Sequence, residues 1–125
     1  MKKWVFLTKL WLCCLISQAQ ITLVNPAAEG GFEVGATFAL NGWTVVNGTQ
    51  TNQWHVGTAA FFAGLRGAYI SNNSGTSNNY DVSATSVVHF YRDITIPPNS
   101  TVNLSFRWRG QGESGFDYLR VYVVT

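Results

Sequence analysis

The clearest alternation in the chain lies near its end. Val102, Leu104, Phe106 and Trp108 fall on one face of an extended chain, and Asn103, Ser105, Arg107 and Arg109 on the other. After a glycine-rich link at residues 110–115, Leu119, Val121 and Val123 alternate with Tyr118, Arg120 and Tyr122. Side chains point to opposite faces of a strand in turn, so each run predicts a half-buried strand. The link turns the chain, and the two runs together predict an antiparallel hairpin with a longer loop. On this expectation the upstream residues supply the layer that covers its apolar face, with Trp43, Trp54, Phe90, Phe106 and Trp108 in the core.

Upstream, residues 21–24 are a short apolar run closed by Asn25-Pro26, and 27–31 a lead-in. Residues 32–34 predict a first short strand, 42–46 a second rich in β-branched and aromatic residues, and 53–57 a third. Asn47-Gly48 is a turn signal. Residues 67–71 predict another strand, 72–79 a polar solvent loop, and 87–92 a strand that continues through Ile94 and Ile96 to the stop at Pro97-Pro98. No window shows a helical period and no repeat is present. Six or seven short strands separated by turns predict an all-β, antiparallel sandwich.

Residues 1–19 are set apart from this pattern. Lys2 and Lys3 precede an apolar stretch and Ser17-Gln18-Ala19 offers a small-residue cleavage site, the three parts of a secretory signal peptide. A membrane anchor is disfavoured because Thr8 and Lys9 interrupt an apolar core too short to span. All the lysines and both cysteines, Cys13 and Cys14, leave with this segment. What remains carries five arginines against six carboxylates, a net charge near −1, which does not favour nucleic acid as a partner. It holds no cysteine, so burial or a bound metal must hold the exported domain together. The organisation expected is a signal peptide at 1–19, a lead-in at 20–31 and one domain at 32–125. The sequence ends inside the apolar run Val123-Val124-Thr125, which predicts truncation of a longer parent rather than a natural end on an edge strand.

Phe32-Glu33, Gly42-Trp43, Trp54, Gly67-Ala68-Tyr69-Ile70-Ser71, Leu104-Ser105-Phe106 and Asp117-Tyr118-Leu119-Arg120-Val121 occur in an order and rough spacing that resembles a jelly-roll module. The chain looks like the adhesin-type domains of secreted proteins of Bacteroidota, called cleaved-adhesin, choice-of-anchor or MAM-like domains. The resemblance covers residues 32–125 and implies a jelly-roll-like sandwich, incomplete at its C-terminal end. It implies a non-catalytic module, secreted or held at the cell surface, that binds glycans or proteins. The alternative it leaves open is an accessory substrate-binding domain of a secreted hydrolase or peptidase. It also implies a structural calcium bound partly by Glu33.

The candidate chemistry in the residues themselves is sparse. His55 and His89 each lie in a predicted strand beside aromatic residues, without acidic or thiol neighbours at metal-ligand spacing, and are expected to be structural. Nothing resembles the elbow of a serine hydrolase. Glu113 and Asp117 lie close enough to suggest a glycosidase pair, but Asp117 is better read as capping turn amides, or as a second calcium oxygen ligand with Glu33. The preferred ligand surface is Tyr118, Arg120 and Tyr122 on one strand face, flanked by Arg107 and Arg109 once the strands pair, because exposed rings and polar groups suit sugars. Sequons at Asn47, Asn72, Asn99 and Asn103 are the chance product of Asn-rich loops.

Overall fold

A computed structural model describes residues 20–125; the signal-peptide reading of residues 1–19 lies outside the described residues. The chain is mostly β. A single turn of 3-10 helix at Ala39–Asn41 is followed by β1 (Thr44–Val46), β2 (Gln53–Gly57), β3 (Gly67–Ser71) and β4 (His89–Tyr91). No α-helix occurs among the described residues. The strands make two antiparallel two-stranded sheets, β1 with β4 and β2 with β3. Val45 stands opposite Phe90 in the first, and His55 opposite Tyr69 in the second. Both expected strands at 53–57 and 67–71 form over those residues, and β1 and β4 fall inside the expected 42–46 and 87–92.

An aromatic cluster gathers around Phe90. Its ring centroid lies 4.9 Å from Phe38, 5.0 Å from Trp54, 5.4 Å from Trp43 and 6.1 Å from Phe32, the contacts with Trp43, Trp54 and Phe32 being edge-on. Edge-to-face packing sets the positive rim of one ring on the negative face of another. The indole N–H groups also find acceptors, Trp43 donating to the Glu29 carbonyl (3.0 Å) and Trp54 to the Val88 carbonyl (3.3 Å). Because β4 supplies Phe90, the β1–β4 pair fastens the cluster.

Asparagine side chains tie the irregular segments together. Asn41 is fully buried; its Nδ2 donates to the carbonyls of Gly35 (2.8 Å) and Thr37 (2.7 Å) and its Oδ1 accepts from Val34 N (3.0 Å). Asn47 reaches Trp54, donating to its carbonyl at 3.0 Å and accepting from its amide at 2.8 Å, so a side chain takes the place of a strand neighbour. The 72–79 loop folds back onto β3: Tyr69, only 4% exposed, donates its hydroxyl to the Gly75 carbonyl at 2.7 Å, and buried Ser71 accepts from Gly75 N at 3.0 Å. Buried polar groups cost several kcal/mol unless bonded, and among the described residues every buried side-chain nitrogen and oxygen has a partner.

Three expected strands are absent. Residues 32–34 turn rather than extend: Phe32 has φ 63°, outside the β region, and this aims its ring into the cluster. The hairpin of 102–109 with 116–124 does not form either; neither run is paired, and all residues from 101 to 125 are exposed. Phe106 (52% exposed) and Trp108 (65%) therefore stand outside the core assigned to them. The reason is that Trp43, Trp54 and Phe90, which would have covered the hairpin, pack on one another around Phe90 and with Phe32 and Phe38 instead. A hairpin with no third strand or apolar layer against it is marginal in water.

Candidate functional site

The C-terminal arm, residues 101–125, carries the expected ligand residues. Tyr118 and Tyr122 are both exposed, Tyr122 at 72%. The Arg120 guanidinium lies 5.6 Å from the centroid of the Tyr118 ring, within reach of a cation–π contact. The Tyr118 hydroxyl donates back to the Gly115 carbonyl at 2.5 Å, which fixes the ring against the glycine-rich link. Arg107 goes elsewhere, 4.6 Å above the ring of Phe62. Arg109 is exposed. Among the described residues no hydrogen bond or cation–π contact joins Arg107 or Arg109 to Tyr118 or Tyr122. The structure thus brings Tyr118 and Arg120 together, while the flanking arginines depended on a strand pairing that does not form.

Glu33 has a clear local role. Its Oε1 accepts from the amides of Leu65 and Arg66, both at 2.9 Å. Those N–H donors, with the Arg66 charge assisting, hold its carboxyl below the usual range. Gly64, at φ +78°, makes this approach possible, since a Cβ there would run into the carboxylate. Beside them lies an open cleft of about 350 Å³ lined by Pro26, Ala27, Glu33, Ala63 and Gly64.

Asp117 belongs to another neighbourhood. Its Oδ2 accepts from the Glu113 amide at 2.6 Å, a turn-capping geometry. Tyr80 lies against it. Burial pushes the Tyr80 hydroxyl up, and its hydrogen bond to the Asp117 carboxylate and the charges of Asp117 and Glu113 push it further. Tyr80 therefore stays a protonated donor, in a crevice of about 310 Å³ with Asn78, Asn79, Gln111, Gly112 and Glu113. Only the polarity of the loops hinted at this crevice, because residues 78–80 and 111–113 are remote in sequence.

Calcium requires six or more hard oxygens converging on one point. One oxygen of Glu33 is already taken by two amides, whose positive ends would oppose a cation, and Asp117 has its own separate partners. Among the described residues no group of three or more His, Cys, Asp or Glu is placed to hold a metal. Glu33 and Asp117 therefore do not fit a calcium cage among the described residues. The histidines are separate too: His55 borders Gly75, and His89 stacks on Tyr91 with centroids 6.5 Å apart.

Among the described residues no helix is long and apolar enough to cross a membrane. No protein-family model, curated protein or solved structure was found to match the chain.

Proposed function

We propose that the chain is a non-catalytic binding module of the jelly-roll-like sandwich kind, exported through the signal in residues 1–19 and displayed at the cell exterior, where it takes a glycan or protein ligand. The observation that carries this reading is the exposed ring of Tyr118 with the Arg120 guanidinium beside it and Tyr122 two residues on. Solvated aromatic faces next to a fixed cation suit a pyranose ring, which offers C–H groups to the ring and hydroxyls to the guanidinium. Large exposed apolar groups in one segment are also a usual mark of an interaction surface. Phe106, Trp108, Phe116, Tyr118 and Tyr122 are each more than half exposed.

A glycan array probed with the processed protein tests the reading, with Tyr122→Ala alongside it. The expected result is binding to a restricted set of sugars, lost in Tyr122→Ala while the melting temperature holds. Binding that survives the substitution would remove this surface from consideration. Failure to bind any glycan, with capture of a surface protein instead, would move the ligand class from sugar to protein.

A further inference from the structure

The chain contains two Asn-Gly dipeptides, Asn41-Gly42 and Asn47-Gly48, and both asparagine side chains are held by the fold. They are held to different degrees. Asn41 is fully buried with three side-chain hydrogen bonds, to Val34, Gly35 and Thr37. Asn47 is half-buried, at the turn that leaves β1, and its side chain has only the two bonds to Trp54. Gly48, which follows it, has φ +54° and open space around the position a Cβ would take.

We propose that Asn47 is a modification site: a deamidation point, with water as co-reactant, gated by release of its side chain from Trp54 and converted by reaction into a turn that docks less firmly. The Gly48 backbone nitrogen attacks Cγ of Asn47. The Cγ–Nδ2 bond breaks, the Gly48 amide proton leaves with Nδ2 as ammonia, and a cyclic imide remains. Water then opens the imide at one carbonyl or the other, giving aspartate or isoaspartate. No oxidation or reduction occurs. Glycine favours the attack because no side chain crowds the nitrogen.

Attack requires the Asn47 side chain to swing onto its own backbone, which it cannot do while bonded to Trp54. The reaction therefore proceeds from the opened turn, in proportion to how often the turn opens. The product differs from the reactant where it matters. Aspartate has no N–H to offer the Trp54 carbonyl, and its charged oxygen faces that carbonyl's negative end. Isoaspartate adds a methylene to the backbone of the turn. Aspartate keeps only the acceptor for the Trp54 amide and isoaspartate shifts even that, so in either form the two-bond Asn47–Trp54 clasp is broken and the turn opens more readily than before.

Incubation of the full chain in native buffer and in strong urea, followed by peptide mass mapping, tests this directly. In native buffer Asn47 is expected to lose its amide more slowly than in urea by about tenfold or more, two hydrogen bonds having to break first. Asn41 is expected to react more slowly still in native buffer, and to match Asn47 in urea. Equal rates at Asn47 in the two buffers, or Asn41 keeping pace with Asn47 in native buffer, would overturn the gating. The deamidated form, separated by charge, is expected to melt below its parent; coincident melting would overturn the weakened docking.

Discussion

The side chain of Asn52 grips the backbone of Asp81 at both ends of its peptide polarity: Nδ2 donates to the Asp81 carbonyl at 3.0 Å, and Oδ1 accepts from the Asp81 amide at 2.7 Å. The same Nδ2 donates to the Ala84 carbonyl at 3.1 Å, while the Asn52 backbone N–H goes to the Ser86 hydroxyl at 3.2 Å. One 7%-exposed side chain thereby anchors the segment that leads into β4.

Asn52→Ala is expected to destabilise the fold by about 2–4 kcal/mol, because several partly buried backbone groups lose their partner at once. Asn52→Asp should also destabilise it, since the carboxylate keeps the acceptor for Asp81 N but loses both donations. Urea unfolding at fixed pH checks this: the midpoint should fall with little change in slope.

Phe90→Ala is expected to cost about 3 kcal/mol, toward the lower end for such truncations because the ring is half-buried. Phe32, Phe38, Trp43 and Trp54 all lose a tilted or edge-on partner together. Tryptophan fluorescence followed through a denaturant titration would show an earlier transition.

Stability should fall on acidification. Glu29, Glu33 and Asp81 all have carboxyl groups held below their ordinary values, Glu29 mainly by the Asn25 amide, Glu33 by the Arg66 and Leu65 amides, and Asp81 by the Ser83 hydroxyl and amide. A group with a lowered folded-state pKa stabilises the fold fully above its unfolded pKa, and that contribution fades as pH drops through the folded value. Melting temperature should therefore be level above the ordinary carboxylate range and decline below it. In Glu33→Gln the plateau should be lower and the acid-side decline shallower.

The exposed, unpaired arm should associate with itself at high concentration, as uncovered alternating apolar segments do. Sedimentation velocity over a concentration series is expected to show growing species, and Val121→Lys should reduce them. The melting temperature should stay unchanged, because Val121 is 51% exposed and outside the cluster.

How much of this was legible in the sequence depended on what the signal measured. Residues 53–57 and 67–71 were readable because β-branched and aromatic residues run up to Gly57 in one and follow Gly67 in the other, and these strands pair with each other locally. Alternation at 102–109 and 116–124 was stronger, yet no strand formed there. Alternation reports which side chains would share a face, and says nothing of whether a layer exists to receive them. Phe32 was misplaced for a related reason, since its aromatic character was visible but its left-handed backbone was not. Asn47 shows in the sequence only as a turn signal, yet Asn41, Asn47 and Asn52 are all cross-ties; the Asn52 side chain reaches partners 29 and 32 residues away, beyond any local pattern. At the candidate site the strand that was to set Tyr118, Arg120 and Tyr122 on one face does not form, so the contact between Arg120 and the Tyr118 ring does not come from strand alternation, and Arg107 lies over Phe62 because its expected place depended on the missing pairing.

The nesting of the two sheets has a consequence for the order of assembly. β2 and β3 are joined by a short connection, while β1 waits for β4 across everything between them. Closing the shorter loop sacrifices less chain freedom, so the inner ribbon is the natural first event and the outer one the late event. Phe90 arrives only with that late closure, which leaves Trp43, Trp54, Phe32 and Phe38 without their central ring until the last strand of the nest is in place.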